Sequence, residues 1–211
     1  MQVKSKQRVT DHGEVYTHER EVKAMLDLVA DQAANPEKTF LEPACGTGNF
    51  LAEILRRKLH TVAQKHRKIQ TDYERTLIVA VGGLYGIELL PDNAEECRAR
   101  LLEIAQTHYR KAFPKTFKPA CIDSVRRILQ CNIICGDALS LKTADGSDIV
   151  FAEWKPVNGS LIKRRDYVFS DLIHKSSERE LPLFSDLGDA AYIPEPVRDY
   201  PLAHYLEAGN V

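Results

Sequence analysis

The chain has 211 residues, 44% hydrophobic, 28% charged and 8% aromatic, enough apolar material for one sizeable core and too little for two packed domains. Lys and Arg total 29 against 30 Asp and Glu, a net charge of −1, so the chain as a whole is not a basic nucleic-acid binding module and any such contact must be local. No stretch approaches the roughly 18 uninterrupted apolar residues of a membrane span, and the basic start, Met1 to Arg8, has no apolar block after it.

From Arg20 to Ala34 the residues Val22, Met25, Leu26, Leu28 and Val29 recur at helical spacing and Asn35-Pro36 stops the pattern, which predicts one amphipathic helix. Thr39 to Ala44 is a short extended run leading into Cys45-Gly46-Thr47-Gly48-Asn49, after which Phe50, Leu51, Ile54, Leu55, Leu59 and Val62 keep helical spacing. The order is strand, glycine turn, helix. Tyr73 to Val81 reads equally as helix or strand, and Gly82-Gly83 punctuates it. Leu84 to Leu89 reads as a second strand ending in an acid, and Pro91-Asp92-Asn93 starts a helix that runs to the region of Tyr109. A loop over Lys111 to Pro119 precedes a short helix over 122–128 and a strand over Leu129 to Cys135, closed by Gly136-Asp137. Asp148 to Glu153 reads as a further strand.

Strands alternating with helices predict an α/β fold with a Rossmann-like open parallel sheet covered on both faces. Beyond Trp154 the pattern weakens into a basic knot, Lys163-Arg164-Arg165, and prolines at 182, 194, 196 and 201. The expected organisation is one domain over 1–175, with 1–35 as an N-terminal helical segment, and an irregular tail over 176–211 that wraps the domain or stays partly mobile. The five cysteines, Cys45, Cys97, Cys121, Cys131 and Cys135, are odd in number with no Cys-x-x-Cys or clustered His, which predicts reduced thiols, no metal site and a cytoplasmic protein.

Leu41-Glu42-Pro43-Ala44-Cys45-Gly46-Thr47-Gly48-Asn49-Phe50 is the most informative segment. Two glycines at the carboxyl end of a first strand let the backbone pass close to a ligand, and ligands of open parallel sheets bind there. The Gly-Lys-Ser/Thr ending of a phosphate loop and the third glycine of the dinucleotide fingerprint are both absent, which disfavours a pyrophosphate. Glu42 before the turn would repel a phosphate but pair with an ammonium. Glu88 ends the next strand, where an acid accepts from ribose hydroxyls. Asp137 ends the third, placed to accept from an adenine amino group. Ammonium, ribose and adenine without phosphate describe S-adenosylmethionine.

Glu-Pro-Ala-Cys-Gly-Thr-Gly-Asn-Phe resembles the cofactor motif of the N6-adenine DNA methyltransferases of restriction–modification systems, Asp-Pro-Ala-Cys-Gly-Ser-Gly. Gly13-Glu14-Val15-Tyr16-Thr17 is similar to the family's upstream segment at the cofactor's methionine end, with His18 in place of its proline. Leu84 to Leu89 is similar to the ribose-binding strand and Cys135-Gly136-Asp137-Ala138-Leu139 to the adenine-side turn. The resemblance covers Val9 to Phe151. It implies a class I methyltransferase fold, S-adenosylmethionine as cofactor, DNA as partner, and a cofactor site lined by Tyr16, Thr17, Glu42, Ala44, Gly46, Gly48, Glu88 and Asp137.

The family holds a flipped adenine with Asn/Asp/Ser-Pro-Pro-Tyr/Phe/Trp, accepting from the amino group and stacking on the base. Glu153-Trp154-Lys155-Pro156 stands at that place, and the chain contains no Pro-Pro. Glu153 and Trp154 are therefore the only candidates for a catalytic pair. The 57 residues after Trp154 leave no room for a target-recognition domain of typical size. The alternative expectation is a non-catalytic or partner-dependent subunit, with a second protein supplying recognition; methylation of a different amine is a third. Two basic clusters, Lys163-Arg164-Arg165 and the run Arg56, Arg57, Lys58, Lys65, His66, Arg67, Lys68, are candidate phosphate contacts, against the alternative of solvated faces matching a helix dipole.

Overall fold

The computed structural model describes residues 7, 8, 10, 17–178 and 195–210. It is an α/β structure with parallel and antiparallel strands. Its elements in chain order are α1 (Glu19–Asp27), α2 (Ala30–Ala34), β1 (Phe40–Glu42), α3 (Asn49–His66), α4 (Gln70–Gly82), β2 (Leu84–Glu88), α5 (Pro91–Ala112), α6 (Pro119–Asn132), β3 (Ile133–Asp137), β4 (Lys142–Thr143), β5 (Val150–Pro156), β6 (Leu161–Val168), α7 (Phe169–Glu178), β7 (Arg198–Asp199), β8 (Ala203–His204) and a 3-10 segment over Tyr205–Asn210.

One sheet has the order β1-β2-β3-β4, parallel through the first three strands, with β4 an antiparallel edge. The expected fourth parallel strand does not exist: β5 pairs antiparallel with β6 over Val150 to Pro156, and β7 and β8 pair with β6, making a second sheet. Side chains, not strand pairing, tie β5 to the first layer. The Ala152 N–H donates to Asn132 Oδ1 at 3.2 Å, Asn132 Nδ2 donates to the Gly82 carbonyl at 3.2 Å, and the Tyr85 hydroxyl donates to the Ala152 carbonyl at 3.1 Å.

Helices α3 to α6 lie on one face of the parallel strands around the main core, which includes Leu51, Leu55, Leu59, Leu77, Ile78, Leu101, Val125 and Ile128. The opposite face is covered by a smaller cluster of Ile87, Ile149, Phe151 and Phe169. The undecided run over Tyr73 to Val81 is helical, and its periodicity is blurred because Tyr73, Leu77, Ile78, Ala80 and Val81 are all fully buried. The helix expected over 20–34 breaks at Leu28-Val29, since Met25, Leu28 and Val29 are exposed and only Val22, Leu26 and Ala33 carry the buried face. The strand expected from Leu129 starts at Ile133, because Ile128, Leu129 and Asn132 continue the buried stripe of α6.

Two buried charges hold the layers together. Lys58 is fully buried, its ammonium donating to the carbonyls of Lys38 at 2.5 Å, Ala80 at 3.2 Å and Pro36 at 3.5 Å, and burial pushes its pKa down to about 8. Glu74 is also fully buried; it accepts from the Tyr109 hydroxyl, from the Tyr205 hydroxyl at 2.7 Å, from Gln70 at 2.7 Å and from Lys118 at 2.9 Å. Burial raises its pKa, but these bonds outweigh burial and hold the carboxyl below its ordinary value. Through Tyr205 the network fastens the C-terminal 3-10 segment to α4.

Candidate functional site

The register of the parallel strands places the three sequence-predicted acids in a staircase. Glu42 lies opposite Gly86, two residues before Glu88, and Glu88 lies opposite Cys135, two residues before Asp137. All three occupy the same face, because partners in register and residues two apart share a side of the sheet. Each step is about 8 Å, from a strand spacing of about 4.8 Å and two residues of about 3.3 Å, so the acids mark a row about 16 Å long at the carboxyl ends of β1, β2 and β3.

The glycine turn sits at one end of that row. Gly46 and Gly48 have φ of 53° and 82°, the left-handed region where a side chain is strained. The Gly46 N–H donates to Glu88 Oε2 at 2.8 Å and the Cys45 N–H to the Ile87 carbonyl at 2.9 Å, which clamps the turn onto β2. A Cβ at Gly48 would stand 2.6 Å from Cys97 Sγ and one at Gly86 2.9 Å from Cys45 Sγ, so close packing as well as φ requires glycine here. The Cys45 and Cys97 thiols hydrogen-bond each other in this packing, which with burial pushes the Cys45 thiol well above its ordinary range. Cys45 is therefore not an activated nucleophile.

The three acids differ in what they already hold. Burial pushes the Glu42 carboxyl up, and among the described residues no hydrogen bond or ion pair offsets it. An arriving cation would. Glu88 is buried; its Oε1 accepts from the Leu90 N–H at 3.0 Å and from Asn93 Nδ2 at 3.4 Å, while among the described residues Oε2 accepts from Gly46 alone and retains a second acceptor direction. Asp137 accepts from the Leu139 N–H at 2.9 Å, and that bond with Ser140 holds its carboxyl below the usual range. Ala44 is exposed beside the turn. Thr17 is brought to the same place by its carbonyl, which accepts from Asn49 Nδ2 at 3.0 Å, and Arg100 of α5 reaches Asn49 Oδ1 at 2.6 Å. His18, the departure from the family pattern, caps α1: its ring accepts from the Arg20 N–H at 3.2 Å. Tyr16 lies outside the described residues.

Sequence reasoning missed two apolar neighbours. Leu89 follows Glu88 and is 54% exposed, and Leu139 follows the β3 turn and is 95% exposed. Exposed leucines are unremarkable singly, but these stand on adjacent strand ends beside two of the acids. The clue in the sequence was their position one and two residues after a strand-end acid.

Glu153 and Trp154 are not brought to this row as a base-binding pair. Trp154 is 5% exposed and belongs to the main core; its Cβ packs against Gly82, and the Arg164 guanidinium lies 5.3 Å from its ring centre. No face of that indole is open to a base. Glu153 is half-buried, 3.5 Å from the Tyr167 hydroxyl and 3.7 Å from Arg165. The basic knot is likewise internally paired. Lys163 pairs with Asp199, Arg164 with Asp166 at 2.8 Å, and Arg165 with Glu153 and with Asp199 at 3.8 Å.

No family model, curated protein or solved structure matches the chain. Among the described residues there is no group of three or more His, Cys, Asp or Glu placed to hold a metal, and no helix long and apolar enough to cross a membrane.

Proposed function

We propose that the chain binds S-adenosylmethionine along the ends of β1, β2 and β3, as the cofactor-binding part of an N6-adenine DNA methyltransferase system whose acceptor site comes from another chain. The observation that carries this reading is the acid staircase beginning at a turn of two left-handed glycines. Its polarity suits the cofactor from end to end. Glu42, half-buried and uncompensated, faces the ammonium; Glu88 keeps an acceptor for a ribose hydroxyl; Asp137 accepts from the adenine amino group; Leu89 and Leu139 offer apolar surface to the flat ring. Phosphate fits poorly on such a row of carboxylates.

The parallel order of β1, β2 and β3 supports a Rossmann-like methyltransferase fold as part of the same reading. Partner dependence is favoured by two features. Trp154 is packed in the core, and β1 pairs only with β2 among the described residues, so the crevice on the far side of the glycine strand lacks its second wall there. Ligands of doubly wound sheets sit where the strand order reverses, and that reversal needs a strand beside β1.

Isothermal titration with S-adenosylmethionine and S-adenosylhomocysteine tests the reading, followed by tritiated-methyl transfer to DNA. Binding without transfer is expected from the isolated chain. Transfer by the chain alone would restore a self-contained enzyme, and no binding of either ligand would sink the cofactor assignment. Leu139→Arg adds the specificity control: at an exposed position it should leave stability within about 0.5 kcal/mol while weakening cofactor binding about tenfold or more, the cost of about 1.4 kcal/mol.

A further inference from the structure

The run of cations that follows the glycine turn has an unexplained arrangement at the far end of α3. A cleft of about 740 Å³ opens there between α3 and α5, lined by His60, Ala63, Gln64 and Arg67 on one wall and His108, Lys111 and Ala112 on the other. At 1.5 Å rise per residue, His60 and Arg67 are about 18 and 28 Å along α3 from Gly48, so this cleft and the cofactor row are separate places.

The cleft contains no carboxylate, and its charge is not neutralised from nearby. Several cations elsewhere are paired, Arg57 with Glu53 and Asp27, Arg98 with Glu95, Arg126 with Asp123, Lys142 with Asp148, and the Lys163–Arg165 knot as described, while Lys38, Lys65, Lys68, Lys115 and Lys155 have no ion pair among the described residues. Arg67 and Lys111 have no ion pair among the described residues, and Arg56, one turn from His60, reaches Glu53 only at 3.8 Å. The His108 imidazole shows the crowding: burial first, then Lys111, Arg56 and His60, push its pKa down. A helix dipole accounts for cations in the last turn, where Lys65, His66, Arg110 and Lys111 stand; further in, His60 Nε2 and Gln64 Nε2 hydrogen-bond each other at 2.9 Å, and His108 lies on the opposite wall of the cleft.

We infer that this cleft holds a nucleic-acid phosphodiester backbone, gripped by Arg67 and Lys111 with His60, Gln64 and His108 as further hydrogen-bond donors. From His60 to Arg67 the wall runs about 10 Å, the rise of about three phosphates on one strand at 3.4 Å each. Charge spread along a line suits a polyanion better than a compact anion. The cleft also holds Ala63 and Ala112, with no Phe, Tyr or Trp to stack on a base and no large apolar side chain to enter a lipid surface, so the contact is chiefly to backbone.

Fluorescence anisotropy of a short labelled DNA duplex, titrated with the full chain at several salt concentrations, tests this. Affinity should fall as salt rises; Arg67→Gln with Lys111→Gln should weaken binding about tenfold or more at low salt and reduce the slope of log K against log salt by about 2. Gln64→Glu keeps every cation and the side-chain volume, and its carboxylate should also weaken binding. Failure of the wild type to bind DNA would overturn the inference, as would unchanged affinity in these folded variants. So would equal, cleft-dependent binding to phosphatidylserine vesicles, which would make the cleft a membrane contact. The cofactor titration separates the two proposals: the cleft variants should bind S-adenosylmethionine like wild type, and a chain that binds duplex DNA but no cofactor would sink the cofactor reading alone.

Discussion

At the ends of β1 to β3 the acids retain capacity for a ligand: Glu42 has no partner among the described residues, Glu88 Oε2 has one donor where it accepts two, and Asp137 sits on an exposed turn. On β5 and β6 the equally conspicuous Glu153, Lys163, Arg164 and Arg165 are committed to one another, to Asp166 and to Asp199, while Trp154 is packed in the core beside Arg164 with its indole N–H unpartnered. Both regions carry residues that chemistry could use. What separates them is accounting of partners, and the same accounting moves the nucleic-acid assignment from the paired β6 knot to the unpaired cleft between α3 and α5. A charge or ring already satisfied inside the fold is unavailable to a ligand unless the fold gives it up.

The largest test of the comparison is Trp154→Ala. If the indole is core, its loss should cost about 3–5 kcal/mol, read by denaturant melts, with cofactor affinity per folded molecule unchanged. A variant as stable as wild type would reverse the contrast and take Trp154 out of the core.

Next comes Glu74→Gln, which removes the charge from a buried carboxylate with four donors and should cost about 3 kcal/mol. The pH dependence has a definite sign. The Glu74 carboxyl is held below its unfolded value, so its contribution is present above the unfolded pKa and is lost as pH falls through the folded one. The gap between wild type and variant should therefore be widest near neutrality and narrow below the ordinary carboxylate range; a gap that widens in acid would show that Glu74 is buried protonated.

The same contrast explains what the sequence made legible. The glycine turn, the acids ending β1 to β3 and the helices after them are local patterns, readable because strand, turn and helix follow one another within a few residues. The antiparallel pairing of β5 was not legible: Asp148 to Glu153 has the same apolar character whichever neighbour it takes, and the choice rests on Asn132 and Tyr85, contributed by α6 and β2. The Glu74 network drew its members from Gln70 to Tyr205, and nothing local in the sequence marks Tyr109 and Tyr205 as partners of one carboxylate. The cation cluster along α3 was visible as composition, but whether a carboxylate stood opposite each member depended on α5 and α1, elements brought beside it only by the fold.

Arg165→Gln has the smallest expected effect and is the cleanest check on the accounting. Its guanidinium is 3.7 Å from Glu153 and 3.8 Å from Asp199, a partly exposed pair of long contacts, so stability should change by less than about 1 kcal/mol in thermal melts. Because its charge is already offset, duplex affinity and its salt slope should not move, whereas removing one unpaired cleft cation, as in Arg67→Gln, should lower the slope by about 1. Equal slopes lost at Arg165 and Arg67 would mean that the β6 ion pairs open to receive phosphate. Long contacts at a half-exposed position would then be a reserve rather than a commitment, and the antiparallel sheet would join the cleft as nucleic-acid surface.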